Sequence, residues 1–279
     1  MSDFIIENSR EMVITELLNF GQHVLVTGQS GSGKTSLCKD IAGKTNREAV
    51  IINCGSTQDA RSSLIGNFQL HNGNTSFIQS EFLKALQTPN ALIVLDEVSR
   101  CSDAAMNILL PVLDFRKSIQ VEETNEVIHI ADGVRFMATA NIGRQYSAAR
   151  SIDKAFLDRF IQFNLEYISG EELVTLLNGR VKGLDSSNIQ EFTKLTKVYD
   201  HVNEGLMKGN FATGISPRTM IPCALLITKG ISSEVVFNNV LLSVFQLDTS
   251  LSEDVRRVRE FADTVGLMGG NNATANISF

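Results

Sequence analysis

Residues 23–36 read His-Val-Leu-Val-Thr-Gly-Gln-Ser-Gly-Ser-Gly-Lys-Thr-Ser, a short apolar run that breaks into glycines and then into a lysine and hydroxyls. The spacing fits G-x-x-x-x-G-K-[ST], with Gly28, Gly33, Lys34 and Thr35 in place. Glycines at 28, 31 and 33 let successive backbone N–H groups turn into one concavity, and the helix that follows adds its positive end. Gln29, Ser30, Ser32 and Ser36 complete the rim. Lys34 can then reach β- and γ-phosphates, and the Thr35 hydroxyl can bind Mg²⁺. The alternative, a glycine-rich turn with a surface lysine, leaves the apolar strand before the loop and the helical pattern after it unexplained. The stretch predicts a nucleotide-phosphate site.

A second stretch complements it. Ala91-Leu92-Ile93-Val94-Leu95 is a buried strand with Asp96 and Glu97 at its carboxyl end. Ligands of open parallel sheets bind outside the carboxyl ends of the strands. Asp96 is thus placed for the Mg²⁺ shell, and Glu97 to take a proton from an attacking water. A strand that simply ends in solvated acids is the plainer reading of the same residues. Asn141 ends another apolar strand, Val134 to Ala140, where an amide can orient a water or touch a γ-phosphate, or can serve only as a turn residue.

The elements that must position these groups alternate. Asn8 to Phe20 has a helical apolar face stopped by Gly21. Ala49-Val50-Ile51-Ile52-Asn53 is apolar without alternation, as in a strand covered on both faces. Residues 68–77 and 118–130 read as hairpins, the second with the acidic tip Glu122-Glu123-Thr124-Asn125. Asp103 to Phe115 is helical, and Asp153 to Phe160 leads into a short strand, Ile161 to Leu165. Beyond Ser169 the pattern is helical: Gly170 to Asn178, Ser187 to Met207, Pro217 to Lys229, Glu234 to Phe245 and Glu253 to Val265. Ser216-Pro217-Arg218 combines a cap, a first-position proline and an arginine. That arginine opposes the helix dipole unless an anion lies nearby. These patterns divide the chain into an α/β nucleotide-binding domain (1–166), a helical domain (167–268) and a Gly/Asn/Ala-rich tail (269–279) expected to be disordered.

Composition narrows the class further. The 279 residues carry a net charge of −6, and no basic-aromatic run points to nucleic acid. Four scattered cysteines, Cys38, Cys54, Cys101 and Cys223, read as reduced thiols with neither disulfide framework nor zinc site. The four histidines are read as structural or surface residues. No apolar run reaches membrane-spanning length and no signal-peptide pattern opens the chain, so a cytoplasmic protein is expected.

Taken together, the phosphate loop, Asp96-Glu97, Asn141, Phe156-Leu157-Asp158-Arg159-Phe160 and the helical final third resemble an AAA+ ATPase, and more closely its MoxR and dynein-related branch. Asp96-Glu97-Val98-Ser99-Arg100-Cys101 is similar to that branch's D-E-[IV]-N-R-A segment, with Ser for Asn and Cys for Ala. The 68–77 hairpin resembles its helix-2 insert, and the 118–130 hairpin its insert before sensor 1. The resemblance implies ATP and Mg²⁺ as ligands and a parallel sheet of order 5-1-4-3-2 with a helical lid. It also implies a ring, usually a hexamer. Asn141 would be sensor 1, Arg159 an arginine finger and Arg218 sensor 2, the last acting on its own or a neighbour's nucleotide. A competing local role for Arg159 is an intrachain pair with Asp158 or Asp153.

Three functions follow from the resemblance. The first is a motor that remodels or assembles a separate partner protein, such as one with a von Willebrand A-type domain, as in MoxR and cobaltochelatase relatives. The second is a nucleic-acid motor, against which the acidic hairpin tip argues. The third is a slowly hydrolysing, nucleotide-switched scaffold.

Overall fold

The computed structural model describes residues 8–56, 59–71, 73–141, 152–165, 167–246 and 252–268. Its contacts divide the chain into two compact units between residues 166 and 167. The 269–279 tail lies outside the described residues.

The first unit is built on a five-stranded sheet. Its strands are β1 (His23–Gly28), β2 (Ala49–Asn53), β5 (Leu92–Asp96), β8 (Arg135–Asn141) and β9 (Phe160–Asn164). They lie in the order β2-β5-β8-β1-β9 and every pairing is parallel. Counting only these strands in chain order, the sheet reads 5-1-4-3-2 from the β9 edge, the expected order. The two hairpins, β3–β4 (Gly66–His71, Asn74–Gln79) and β6–β7 (Ser118–Val121, Glu126–His129), form separate two-stranded sheets.

Alternating side chains send each strand's apolar residues to both faces. Val24, Val26, Val94 and Met137 pack with Ile14 and Leu18 of α1 (Asn8–Asn19) and Leu37 and Ile41 of α2 (Lys34–Lys44). Leu25, Ile93, Leu95 and Phe136 face the other way, with Phe82 of α4 (Glu81–Leu86) and Leu109 of α5 (Asp103–Leu113). The strand β2 is covered on both faces only in part: Val50 and Ile52 meet one core and Ile51 the other, yet all are half-exposed. It is an edge strand, so one flank has no neighbouring strand among the described residues.

Between the core elements lie two short helices, α3 (Ala60–Leu64) and α6 (Lys154–Leu157). Arg61 of α3 grips the acidic tip of the β6–β7 hairpin, its Nε and Nη2 each 2.8 Å from Glu123 carboxylate oxygens. The tip is thereby partly neutralised.

The second unit packs α7 (Gly170–Asn178), α8 (Ile189–Met207), α9 (Pro217–Thr228), α10 (Ser233–Val236), α11 (Ser243–Gln246) and α12 (Ser252–Thr264) around Phe192, Tyr199, Phe237 and Phe245. The single helix expected over 234–245 is broken by a π turn, Phe237–Leu241. There the side-chain amides of Asn238 and Asn239 donate to the carbonyls of Glu234 and Val235, and Leu242 N–H reaches back five residues to Phe237 O.

Candidate nucleotide site

The carboxyl ends of β1, β5 and β8 bring the sequence candidates together. Gly28 sits at φ 152, and a Cβ there would come within 2.9 Å of Leu165 O, so only glycine fits. Gly31 and Gly33 are also left-handed, at φ 80 and 88. Gly33 caps α2 without a side-chain bond, leaving the first turn's N–H groups directed into the loop. Lys34 is buried, and its ammonium donates to Gly28 O (3.2 Å) and Gln29 O (2.6 Å) within the same loop.

Asp96 lies across from the loop. Thr35 donates its hydroxyl to Asp96 Oδ1 at 2.8 Å, and Thr139 donates to the same oxygen at 2.5 Å. Thr139 Oγ1 also accepts the Glu97 N–H at 3.0 Å. Glu97 itself turns the chain at φ 58, an uncommon conformation for a side chain of this size, and its carboxylate pairs with Arg100 at 3.2 Å. Asn141 is the register partner of Gly28 in β1, so its amide stands level with the mouth of the loop.

These residues fit a magnesium nucleotide. The Ser32 hydroxyl is buried in the loop with no hydrogen-bond partner among the described residues, a donor that a phosphate oxygen would satisfy. Thr35 and Asp96 supply the hard oxygen donors that Mg²⁺ prefers.

Arg159 lies elsewhere. It precedes Phe160, which pairs with His23 at the start of β1, and five residues of strand separate that point from Gly28, roughly 16 Å. Its guanidinium donates to Ala155 O and stands 3.7 Å from Asp114, rather than pairing with Asp158 or Asp153. Arg218 is exposed in the first turn of α9, in the helical unit, below the Ser216 cap.

Thr139 and Arg100 complete the constellation, though the sequence by itself assigns neither of them a role. A threonine two residues before Asn141, on an otherwise apolar strand, is the signal that could have found the first. The position of Arg100 depends on the turn at Glu97, which periodicity does not report.

A parallel sheet of this order, with a phosphate loop after β1 and paired acids after β5, defines an AAA+ P-loop protein. Residues 23–160 match the AAA domain of the dynein-related subfamily. Relatives include an uncharacterized protein of Staphylococcus saprophyticus, 29% identical over 185 residues, covering 65% of this chain and 69% of that one. YojN of Bacillus subtilis, also uncharacterized, is 29% identical over 183 residues, 64% of this chain and 59% of its own. The Thauera aromatica protein named "Putative chaperone BssE" is 31% identical over 150 residues, about half of each chain (53% and 52%). Among solved structures, a RuvB mutant of Thermotoga maritima shares the fold, with a TM-score of 0.53 at 15% identity over 87% of this chain and 71% of that one. No described helix is long and apolar enough to cross a membrane.

Proposed function

We propose that this chain hydrolyses ATP and, assembled as a hexameric ring, uses the cycle to remodel or assemble a separate partner protein. The observation that carries the reading is the convergence of Lys34, Thr35, Asp96 and Glu97 at the carboxyl end of the sheet. In this mechanism the loop amides and Lys34 bind the phosphates, and Lys34 exchanges its loop carbonyls for phosphate oxygens. Mg²⁺, held by Thr35 and Asp96, would offset charge on the phosphates. Glu97 takes the proton of the attacking water once its carboxylate leaves Arg100. Asn141 orients that water or reads the γ-phosphate. Arg159 cannot span the length of β1 to its own site, so it serves a neighbour's. Arg218 would read the γ-phosphate of its own or a neighbour's nucleotide.

The partner reading draws on BssE, whose name describes a chaperone, and a von Willebrand A-type protein is the class of partner proposed. The Glu97–Arg100 pair favours a second reading, a nucleotide-switched scaffold whose base is held away from water.

The test is direct. Lys34→Ala should abolish ATP binding, whereas Glu97→Gln should bind ATP normally and lose most turnover, because an amide takes no proton. Wild-type affinity in the first variant would sink the site, and wild-type turnover in the second would remove the general base.

A further inference from the structure

The turns that follow β2 and β5 lie side by side. These strands are parallel neighbours that end level, Asn53 against Asp96. Cys54, the first residue past β2, is thereby brought to Cys101, which closes the 3-10 turn Val98–Arg100 past β5. The same turns are close enough that a Cβ on Gly55 would meet Arg100 Cδ at 3.1 Å and Glu97 Oε2 at 3.4 Å. The two thiols interact with each other, both are reduced, and both are buried, while the Cys54 thiol donates to Ile52 O at 3.9 Å. Cys101 in addition lines a cavity of about 130 Å³ with Ser99, Met106 and Asn107 and with two carboxyl residues, Asp103 and Asp153. That volume admits a molecule of peroxide size, since liquid water takes about 30 Å³ per molecule.

We propose that Cys54 and Cys101 are a peroxide-responsive thiol pair, whose disulfide pins the Glu97-bearing turn to the end of β2. The Cys101 sulfur attacks one oxygen of hydrogen peroxide, the O–O bond breaks, and water leaves with the thiol proton, giving a sulfenic acid. The Cys54 sulfur then attacks the sulfenic sulfur and the S–O bond breaks. A disulfide forms, and a second water leaves with the Cys54 proton. Two thiols thus lose two electrons to one peroxide, which is reduced to two waters. The cavity assigns the attacking role to Cys101. The interaction of the two thiols agrees with this, drawing the Cys101 thiol below its ordinary pKa against the opposing effects of burial and Asp103, and pushing Cys54 up. Glu97 lies in the segment the disulfide would tie down, so oxidation stalls hydrolysis. That consequence rests on the hydrolytic reading above; the disulfide itself does not.

The full chain, treated with hydrogen peroxide and then alkylated, should show its free thiols fall from four to two. Mapping without reduction should recover a peptide linking Cys54 to Cys101. ATP turnover should drop several-fold and return with dithiothreitol. In Cys54→Ser the reaction should stop at a sulfenic acid, trapped on Cys101 by dimedone. Four free thiols at a peroxide dose that oxidises a free cysteine peptide would overturn the pair. So would a linkage involving Cys38 or Cys223, or the Cys54–Cys101 link forming with turnover unchanged. A reduced chain without any turnover would instead count against Glu97 as base, while the linked peptide would still decide on the thiols.

Discussion

Thr139 makes Asp96 and Glu97 a single unit, because one hydroxyl bonds the carboxylate of the first and the backbone N–H of the second. Valine has the same shape and strand preference but no hydroxyl, so Thr139→Val should keep the fold and lose the tie. Turnover should fall roughly 10- to 100-fold, about 1.4–2.7 kcal/mol of barrier, with ATP affinity changed much less and Thr139→Ser restoring most activity. Wild-type kinetics for the valine variant would make Thr139 mere packing. His23 offers a pH test. It lies against Phe136 and Phe160, and burial pulls its pKa from 6.5 to about 4. The unfolded chain therefore binds more protons between those values, so stability is present at neutral pH and is lost as pH falls from about 6.5 toward 4. The loss should be of order 1–3 kcal/mol, because each tenfold change in proton affinity is worth about 1.4 kcal/mol. Urea unfolding of wild type and His23→Phe at pH 7 and pH 5 would show it, with the variant having the flatter profile. Parallel pH profiles would remove His23 from the account.

At the scale of elements, the helical unit depends on a buried amide. Asn203, fully buried in α8, donates to Ile215 O at 2.9 Å and accepts Ile215 N–H at 3.1 Å. It thereby clamps the segment that enters the Ser216 cap and the first turn of α9. Gly214 must be glycine beside it, since a Cβ there would come within 2.4 Å of the Asn203 side-chain oxygen. Asn203→Leu should leave both Ile215 backbone groups buried and unpaired, at about 1–3 kcal/mol each. The transition of the helical unit in urea, followed by hydrogen exchange of residues 189–228, should move to lower denaturant. Unchanged exchange in this stretch would mean that another contact holds the loop.

For the whole molecule the proposed ring is tested at Arg159, which lines a cavity at the amino end of the strands rather than at the phosphate loop. Its 3.7 Å pairing with Asp114 is the kind of contact worth at most about 1 kcal/mol, readily exchanged for a phosphate of a neighbouring subunit. Beside Asp114, Phe115 is 92% exposed, an aromatic surface that a ring contact would cover. Turnover per subunit should therefore rise with protein concentration, and Phe115→Ser should shift that rise to higher concentration. Arg159→Ala should cost roughly 10³- to 10⁵-fold in rate if it acts as a finger. Mixed with Lys34→Ala subunits it should recover some activity at the junctions where both groups are intact. Concentration-independent turnover by a monomer that needs Arg159 would refute the trans arrangement.

Local rules were enough to make the phosphate loop and the acid-tipped strand legible. Glycine spacing, an apolar run and a terminal carboxylate each act within a few residues, and those residues lie consecutively in the chain. The same holds for the two hairpins and for most of the helices beyond Ser169, where apolar periodicity marks the buried face. The family resemblance supplied the strand order, which periodicity alone does not encode. What only the tertiary structure decided are the meetings of residues far apart in sequence: Thr139 with Asp96, Arg159 with Asp114, Arg61 with Glu123, and Cys54 with Cys101. The π turn is a different case, a local one: two asparagine amides compete with the helix ladder for carbonyls four residues back, which apolar periodicity does not report. The physical reason is common to the long-range meetings. A strand's neighbour is chosen by how whole layers bury their apolar faces, and that choice sets which chain ends lie level and which side chains meet there.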